Sequence, residues 1–501
     1  MQKSGRFLTA LVLVLGLLSG CTPAENPAVS PTVSVTPSPT PTAAEFALPY
    51  DMAGGLNPLT TTAGTNLTMM PLLYEGLYGV NARFEAEPVL CQNASPNPEK
   101  TVWIFTVKSG ITCSDGTAVT GELCKASLLA AKASPLYGQR LRNVTAITAD
   151  GQSLTISLSA PNENLPLLLD TPIFAASDSA TPAGTGPYVL KDEKLTARAD
   201  WWQKKSVPQG TIPLFECATA DELVYAFDAG NVGLVTADLT GTSVLGYSGN
   251  YEVAEFPTTG MLYVGFNALS GPCQDAAIRR ALAQGIDRDT ICGSLLAGHA
   301  TPAALPLHPD SEGYDEKLAS PLQYSEKNLA DGLTALGFQK GDDGLFYRNY
   351  KPLTLKLLVG SDNSFKTAVA DFIAESFRRC GVTVTVQKAT WEEYNAALKN
   401  GMFDLYLGET KLTADFDATP LFTRGGSLNF GGFGSPELEA LWRASAAGGD
   451  SGAFYTRFVQ DLPVAPICFK SGSVLTQWGR VSGMTPTGSN PFYGIEHLTI
   501  H

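Results

Sequence analysis

Four charged side chains follow one predicted strand and are placed to contact a ligand. The strand is predicted over residues 403–407, and the residues after it include Glu409, Lys411, Asp415 and Asp417. Carboxylates attract a cationic group, whereas a lysine attracts a carboxylate. Two alternatives stay open: Lys411 simply pairs with Glu409, or the acidic residues are ordinary surface groups.

The sequence offers little material for catalysis or for metal binding. It contains four histidines, none of them in a HExxH pattern, and residues 246–249 (Gly-Tyr-Ser-Gly) lack the spacing of a GxSxG motif. No CxxC or comparable metal-ligand spacing occurs. We therefore expect a protein that is not an enzyme and needs no cofactor and no metal. An anchored hydrolase is the alternative, and it would require a serine or aspartate beside a histidine in a cleft.

The charged segment ends a continuous alternation of predicted strands and helices. Strands are predicted over residues 353–359, 382–386 and 403–407, and helices over 362–380 and 391–398 lie between them. This β-α-β-α-β order predicts a doubly wound α/β lobe with right-handed crossovers. Ligands of such sheets bind outside the carboxyl ends of the strands, which is where the charged segment lies.

Earlier segments predict a second lobe and a smaller domain. A strand over residues 212–215, a helix over 221–229 and a strand over 232–235 form a β-α-β-like order that favours a mostly parallel sheet. Before them, a strand-rich block includes a strong strand at residues 103–107. A helix with one apolar face is predicted over residues 66–78.

Length and composition indicate a globular protein with more than one domain. A chain of 501 residues exceeds what one hydrophobic core usually holds, so we expect roughly two or three domains. The apolar content of 44% supports folded domains, and the formal net charge of −14 makes nucleic acid a poor candidate partner. The acidity itself indicates little beyond solubility.

The N-terminus carries an export signal. A basic start precedes an apolar run at residues 7–18, which is too short for a comfortable membrane span. Residues 18–21 (Leu-Ser-Gly-Cys) resemble a bacterial lipobox, which implies cleavage after a signal peptide at residues 1–20 and a lipid on Cys21. The alternative is an ordinary secretory signal with an incidental cysteine. A tether rich in Pro, Ser and Thr follows at residues 21–45.

The remaining cysteines permit disulfide bonds. The sequence contains nine cysteines, of which one is Cys21, and an extracytoplasmic location allows oxidation of the others. We expect one or two bridges, with a pairing that the sequence does not reveal. Several cysteines, such as Cys468 between Ile467 and Phe469, have apolar neighbours that also suit a buried thiol.

Several short motifs resemble those of one known family. They are Gly-Thr-Gly-Pro-Tyr at residues 184–188, Trp-Trp at 201–202, Tyr-x-x-Phe-Asn at 263–267 and Asp-x-x-Ile-Arg-x-Ala-Leu at 275–282. With the export signal, they are similar to extracellular solute-binding protein family 5, the substrate-binding lipoproteins of peptide and nickel ABC transporters. The resemblance covers residues 46–470.

This resemblance implies an α/β fold of the periplasmic-binding-protein-like type II. Two doubly wound lobes joined by a hinge are expected, together with a small extra strand-rich domain. The implied domains are a signal peptide at 1–20, a linker at 21–45, lobe I at 46–79, 172–262 and 465–501, the small extra domain at 80–171, and lobe II at 263–464.

The resemblance also implies roles for individual residues. Asp415 matches the acidic residue that pairs with the α-ammonium group of a bound peptide, and Asp417 is the second choice for this role. The other candidate ligand-binding residues, each with a core or surface role as its alternative, are Trp391, Tyr74, Asn429, Phe430, Lys411 and Glu409.

The implied function is solute capture outside the cytoplasm. We expect a monomeric lipoprotein, attached to the cell membrane through Cys21, that binds peptides between its lobes and delivers them to the permease subunits of an ABC importer. Two alternatives stay open. In the first alternative, the ligand is a nickel-chelate or another small solute. In the second, the protein is a sensor or scaffold that delivers no solute.

Overall fold

The computed structural model describes residues 45–176, 178–242 and 244–501. The predicted signal peptide, the predicted lipidation site at Cys21 and the linker up to residue 44 lie outside the described residues. Within the described ranges, no helix combines the length with the apolar character that crossing a bilayer requires.

The described chain alternates between short strands and helices, with a few long elements. The strands are β1 (Leu48–Tyr50), β2 (Tyr78–Val80), β3 (Ala86–Pro88), β4 (Cys91–Pro96), β5 (Val102–Val107), β6 (Val144–Asp150), β7 (Ser153–Leu158), β8 (Phe174–Ala175), β9 (Ala183–Gly184), β10 (Tyr188–Lys191), β11 (Lys194–Ala197), β12 (Thr211–Glu216), β13 (Leu234–Ala237), β14 (Tyr251–Phe266), β15 (Ala300–Pro302), β16 (Gln339–Lys340), β17 (Phe346–Arg348), β18 (Lys351–Pro352), β19 (Thr354–Gly360), β20 (Thr383–Ala389), β21 (Leu405–Lys411), β22 (Val464–Gln477), β23 (Val481–Ser482) and β24 (Thr499–Ile500). The α-helices are α1 (Gly64–Leu73), α2 (Gly121–Ala133), α3 (Ala220–Asp228), α4 (Ala276–Ala283), α5 (Arg288–Thr290), α6 (Glu316–Ala319), α7 (Glu326–Ala335), α8 (Ser364–Cys380), α9 (Trp391–Lys399), α10 (Thr419–Phe422), α11 (Pro436–Ala446) and α12 (Ser451–Asp461).

Two long antiparallel strands carry the chain through both lobes. β14 and β22, of 16 and 14 residues, stay paired from the Tyr251–Gln477 pair to the Gly265–Val464 pair. Their register shifts twice, once between Pro257 and Met261, where the proline has no N–H to give to the ladder, and once between Leu262 and Tyr263. The second shift coincides with the predicted boundary between lobe I and lobe II on β14, and such irregularities are points at which a sheet can bend.

Lobe II contains the predicted β-α-β-α-β run, so that prediction is confirmed. β19 pairs in parallel with both β20 and β21, and α8 and α9 form the crossovers. The Asn363 side chain caps α8 by accepting the Lys366 N–H, and Gly381 follows this helix in a left-handed conformation. Thr390 and Glu393 form a capping box at the start of α9.

The register between β14 and β21 is fixed by two reciprocal glycine–tyrosine pairs. Tyr263 lies opposite Gly408, and Gly265 lies opposite Tyr406. A Cβ atom on Gly408 would lie 2.6 Å from the Tyr263 ring, and one on Gly265 would overlap the Tyr406 ring. The two rings meet edge to face with their centroids 5.9 Å apart. A shift by one residue would therefore bring each ring against a side chain.

The predicted parallel β-α-β unit of lobe I is wrong. β12 and α3 form where they are expected, but β12 pairs in parallel with β1, in a four-stranded sheet of order β1-β12-β11-β10. β13 pairs antiparallel with β22, from Leu234–Thr476 to Ala237–Ser473. β22 is far from β13 in the sequence, so the local periodicity of residues 211–237 does not reveal that the two strands pair.

Helix α1 is shorter than predicted and ends at Leu73. Tyr74 is extended, with φ −130° and ψ 140°, and Glu75 forms an antiparallel bridge with Ile173. The chain continues against the backbone of Asp170, so that a Cβ atom on Gly76 would lie 2.7 Å from the Asp170 Cα. These tertiary contacts end the helix although the apolar pattern continues.

The small domain has its own sheet and its own core. β4, β5, β7 and β6 form an antiparallel sheet in that order, and α2 packs against β6 and β7. The predicted strand at residues 103–107 is confirmed within β5. The boundaries given above for the two lobes and the small domain stay a prediction.

The expected disulfide bonds are absent from the described chain. The eight cysteines from Cys91 to Cys468 are all free and buried. Burial raises the pKa of the Cys113 thiol to about 11 and that of Cys124 to about 12. These cysteines are therefore core residues, as their apolar neighbours in the sequence also allowed.

Two glycines of the Gly-Thr-Gly-Pro-Tyr motif let the chain pass directly over the end of α1. A Cβ atom on Gly184 would overlap the Leu73 carbonyl oxygen, and one on Gly186 would lie 2.5 Å from the Leu72 carbonyl oxygen. The Gly186 N–H donates to the Leu73 carbonyl at 3.0 Å. The motif thus serves close backbone packing in lobe I.

We predict that Gly184→Ala lowers the free energy of unfolding by about 1–3 kcal/mol, because the added methyl group meets a backbone oxygen that cannot rotate away. Urea unfolding followed by circular dichroism measures this change. Gly210→Ala is the matched control, since open space surrounds that position, and its effect should stay within about 1 kcal/mol. Equal effects of the two substitutions would contradict the packing argument.

Candidate functional site

Two cavities lie on either side of the segment that follows β21. The first, here called the lobe I cavity, has a volume of about 820 Å³ and is lined by lobe I, the small domain and Lys411. The second, here called the lobe II cavity, has a volume of about 670 Å³ and is lined by the small domain and by lobe II residues that include Asp415 and Asp417. Both volumes suit a small-molecule ligand.

A carboxylate in the wall of the lobe I cavity accepts three side-chain hydrogen bonds. Trp201 Nε1 donates to Glu75 at 3.3 Å, and Trp202 Nε1 and Gln203 Nε2 each donate at 2.6 Å. Burial raises the pKa of Glu75 above its usual range, although these donors act in the opposite direction. The adjacent tryptophans therefore share one acceptor and hold Glu75 in place.

Tyr74 contributes its ring to the same cavity. Its hydroxyl donates to the carbonyl oxygens of Leu56 at 2.8 Å and Pro182 at 3.1 Å, and its ring meets Phe174 edge to face. The side chain is buried, and desolvation raises its pKa above the usual range. Tyr74 is thus a rigid part of the wall, whose hydroxyl is already engaged by the protein.

Lys411 reaches the lobe I cavity from lobe II. It is the last residue of β21, its backbone pairs with Gly260, and the Arg140–Asp170 ion pair lies nearby in the cavity wall. The Lys411 side chain is exposed, because it faces the open space of the cavity. The cavity walls around it still remove part of its hydration, and in that sense the ammonium group is partly buried. This burial, together with the charge of Arg140, holds the pKa of Lys411 below its usual value.

Glu409 lies outside both cavities and does not pair with Lys411. Its carboxylate meets Lys366 at 3.2 Å and Lys470 at 3.0 Å, and Lys470 also meets Asp238 of lobe I at 2.6 Å. Burial alone would lower the pKa of Lys470, but the hydrogen bond that Lys470 donates to Asp238 and the charge of Glu409 raise it. Because Lys470 lies in β22 opposite the register shift between Pro257 and Met261, Asp238, Lys470 and Glu409 form an ion triad at this irregularity of the sheet.

The lobe II cavity carries an excess of negative charge. Its lining contains six carboxyl groups and three guanidinium groups. Such a surface favours a cationic ligand group over an anionic one. The carboxyl groups belong to Glu85, Glu163, Glu312, Asp415, Asp417 and Glu439, and the guanidinium groups belong to Arg83, Arg142 and Arg443.

Asp415 and Asp417 both contact the small domain. Asn162 Nδ2 donates to Asp415 at 2.8 Å, and the Thr413 hydroxyl donates to its other carboxylate oxygen at 2.5 Å. Asp417 forms an ion pair with Arg142. Burial, and then the charge of Asp417, raise the pKa of Asp415 above its usual range. The loop therefore joins lobe II to the small domain through two carboxylates.

An aromatic cluster that includes Phe416, the residue between Asp415 and Asp417, also joins the small domain to lobe II. The Phe84 ring of the small domain lies 4.9 Å from both His308 and Phe416, and Phe469 lies beneath them. Phe84 and Phe416 both have left-handed backbone conformations, with φ of 58° and 53°. Non-glycine residues keep such conformations where surrounding contacts hold them, which is common at functional sites.

Three further candidate residues lie outside both cavities. Trp391 is 63% exposed and stacks on Tyr394. The Asn429 amide donates to the carbonyl oxygens of Thr423 and Phe433 and so stabilises its own glycine-rich loop. Phe430 packs edge to face on Tyr406. The structure thus brings Tyr74 and Lys411 to one cavity and Asp415 and Asp417 to the other, and their ligand contacts stay predictions.

Sequence reasoning missed the residues that the small domain contributes. Arg142 and Asn162 contact the acidic loop, and Arg140 and Asp170 lie near Lys411, although no motif marks any of them. Their partners are far away in the sequence, so no local spacing could reveal them. Glu75 offered one signal, because it is a single carboxylate within an apolar segment. Among the described residues, no group of His, Cys, Asp and Glu side chains is arranged to hold a metal ion.

Two lobes that share one sheet, with cavities beside residues 411–417, fit the type II periplasmic-binding-protein fold. A family model described as "Bacterial extracellular solute-binding proteins, family 5 Middle" matches residues 85–429. This match covers more than half of the sequence, and the chain therefore belongs to the bacterial extracellular solute-binding proteins of family 5.

Individual relatives agree in fold and differ in their ligands. The oligopeptide-binding proteins AppA and OppA of Bacillus subtilis are 23% and 22% identical over 42% and 84% of this chain; the matches span 40% and 86% of those proteins. The structure of AppA with a nonapeptide has a TM-score of 0.60 at 17% identity, and covers 92% of this chain and 98% of its own. NikZ of Campylobacter jejuni in complex with Ni(L-His) has a TM-score of 0.63 at 16% identity, with coverages of 91% and 99%.

We predict that the buried His308 makes the protein acid-sensitive. Its Nδ1 accepts the Asp310 N–H at 3.1 Å, which requires the neutral ring, and desolvation lowers the pKa of His308 to about 4. The unfolded chain binds a proton at about pH 6.5. Between these values the unfolded state holds more protons, so the free energy of unfolding should fall by up to about 3 kcal/mol as the pH falls.

Urea unfolding of the wild type and of His308→Gln at a series of pH values tests this statement. The variant should lose the part of the acid sensitivity that belongs to His308. His501→Gln, at the exposed C-terminus, is the control and should behave as the wild type does. Parallel pH curves for the wild type and His308→Gln would contradict the assignment.

Proposed function

We propose that this chain captures a peptide between its two lobes and delivers it to the permease subunits of an ABC importer. The observation that carries the proposal is the charge of residues 411–417, at the end of β21 and in the loop that follows it. Lys411 brings a cation to the lobe I cavity, and Asp415 and Asp417 belong to an acidic lining in the lobe II cavity. Opposite charges along one loop suit a ligand with both an ammonium and a carboxylate group.

Family membership and the relatives support this choice of solute. The chain belongs to a family of solute-binding proteins, and the curated relatives AppA and OppA are named for oligopeptide binding. Polar wall groups such as the Glu75 carboxylate are already held by protein donors, which gives a preorganised surface. A peptide backbone can add strand-like hydrogen bonds to such a surface.

In this proposal Asp415 receives the α-ammonium group of the peptide. Its carboxylate is crowded, and two protein donors leave part of its accepting capacity unused. An incoming ammonium would share the carboxylate with Asn162 or displace that side chain. A cation beside Asp415 would also oppose the burial that raises the pKa of this carboxyl group.

The proposal includes a location outside the cytoplasm and a lipid anchor at Cys21. The location and the lipid anchor are inferred from the basic start of the sequence, the apolar run at residues 7–18 and the Leu-Ser-Gly-Cys segment at residues 18–21. The Pro-, Ser- and Thr-rich segment that follows would serve as a tether, and the folded part would act as a monomer.

Calorimetry with short peptides tests the proposal. We expect the wild type to bind peptides with a free N-terminus about tenfold or more tightly than their N-acetylated forms, because acetylation removes the charge that faces Asp415. Asp415→Asn should abolish this preference. Asp331→Asn, on the exposed face of α7, is the control and should retain it.

Two results would contradict the proposal at different levels. If a diverse peptide pool produces no binding heat and no thermal shift, peptide capture itself is wrong. If peptides bind but Asp415→Asn keeps the preference for a free N-terminus, the fold still binds peptides and only the role of Asp415 is wrong.

A further inference from the structure

The ion triad of Asp238, Lys470 and Glu409 connects parts of the shared sheet that belong to different lobes. Asp238 follows β13, which pairs with β22 in lobe I, and Glu409 lies in β21, which pairs with β14 in lobe II. Lys470 Nζ lies 2.6 Å from the Asp238 carboxylate and 3.0 Å from the Glu409 carboxylate. One ammonium group therefore serves a carboxylate of each lobe.

Lys470 also lies where the ladder between β14 and β22 is interrupted. Its two neighbours in β22 pair with β14 at either end of the register shift, whereas Lys470 itself lies opposite residues 258–260, which have no partner in this ladder. Its carbonyl oxygen instead accepts the Thr258 hydroxyl at 2.6 Å. If the lobes rotate about this gap, the distances from Lys470 to the two carboxylates change, because each carboxylate moves with its own lobe.

Contacts at the start of α8 extend the same link. The buried Asn363 amide donates to the Thr240 carbonyl at 3.1 Å, and Lys366 pairs with the second oxygen of Glu409 at 3.2 Å. Thr240 in turn donates its N–H and its hydroxyl to the oxygen of Asp238 that does not meet Lys470, at 3.0 and 3.1 Å. The turn after β13 in lobe I is therefore held against α8 and β21 of lobe II.

Stability alone explains the triad poorly. The Lys470 side chain is only 7% exposed, and removing an ammonium group from water costs free energy that its ion pairs merely offset. What the triad adds is a preference for one orientation of the lobes, because a single buried cation satisfies both carboxylates only when they lie on either side of it.

We propose that Lys470 is a positioning residue for solute capture, which holds the lobes in the arrangement described here through Asp238 and Glu409. The apparent affinity for a solute that binds this arrangement rises with the fraction of the protein that already adopts it. Lys470 lines neither cavity, so it acts on the affinity for every such solute alike. The inference rests on solute capture and does not require that the solute is a peptide.

Calorimetry with trialanine and N-acetyl-trialanine tests the effect on affinity. Lys470→Met should bind trialanine about tenfold or more weakly than the wild type, and Asp238→Asn about two- to fivefold more weakly, because Asp238 is half-exposed. The ratio between the two peptides should stay that of the wild type. The double variant should bind no more weakly than Lys470→Met, because Asp238 acts through Lys470.

Small-angle X-ray scattering of the ligand-free proteins tests the lobe arrangement itself. Lys470→Met should have a larger radius of gyration than the wild type, because fewer molecules hold the lobes as described here. Asp371→Asn is the matched control, since Asp371 is as exposed as Asp238 but pairs with Lys388 of its own lobe. It should behave as the wild type does in both measurements. Thermal unfolding establishes that each variant is folded, and Asp238→Asn carries both tests if Lys470→Met does not fold.

A folded Lys470→Met with the affinity or the radius of gyration of the wild type would overturn the inference. A changed ratio between the two peptides would also overturn it, because the triad would then act on the ligand rather than on the lobes. If neither peptide binds to the wild type, the proposed peptide function is in doubt and scattering alone decides on Lys470. A larger radius of gyration of the variant then supports its role, and an equal one refutes it.

Discussion

The antiparallel pairing of β14 with β22 is the constraint on which the two-lobed arrangement depends. Because this ladder runs through both lobes, lobe I and lobe II share one sheet and are joined by two hydrogen-bonded strands. Two register shifts, between Pro257 and Met261 and between Leu262 and Tyr263, interrupt the regular ladder. A bend at these shifts would leave the paired stretches on either side intact, so the fold provides a place where the lobes could move relative to each other without unfolding.

Charged contacts across the lobes give this movement a link to ligand binding. Lys470 joins Asp238 of lobe I to Glu409 of lobe II opposite the register shift between Pro257 and Met261. At the cavities, the carboxylates of Asp415 and Asp417 hold the small domain against lobe II. In our account a solute ammonium competes with these protein donors for the same oxygens. Ligand occupancy and the contact between the domains therefore influence each other.

Local patterns predicted the parts of the fold that local sequence determines. The run from β19 to β21 followed from periodicity, caps and a helix-ending glycine, all within one continuous segment. The pairing of β13 with β22 and the early end of α1 did not follow, because distant backbone decides both. The site shows the same division. The segment with Lys411 and Asp415 was singled out from the sequence and its ligand contacts stay a prediction, whereas Arg142 and Asn162 reach it from a domain that folds elsewhere in the sequence.

Native mass spectrometry of the purified protein, with identification of whatever it releases, tests the central claim most directly. The account predicts a bound population of short peptides, whose masses are lost together when the protein is denatured. Release of a nickel complex, or a protein that stays empty after exposure to a peptide pool, would contradict peptide capture. The first of these results would assign a different solute to the same two-lobed fold, and the second would favour a role without transport.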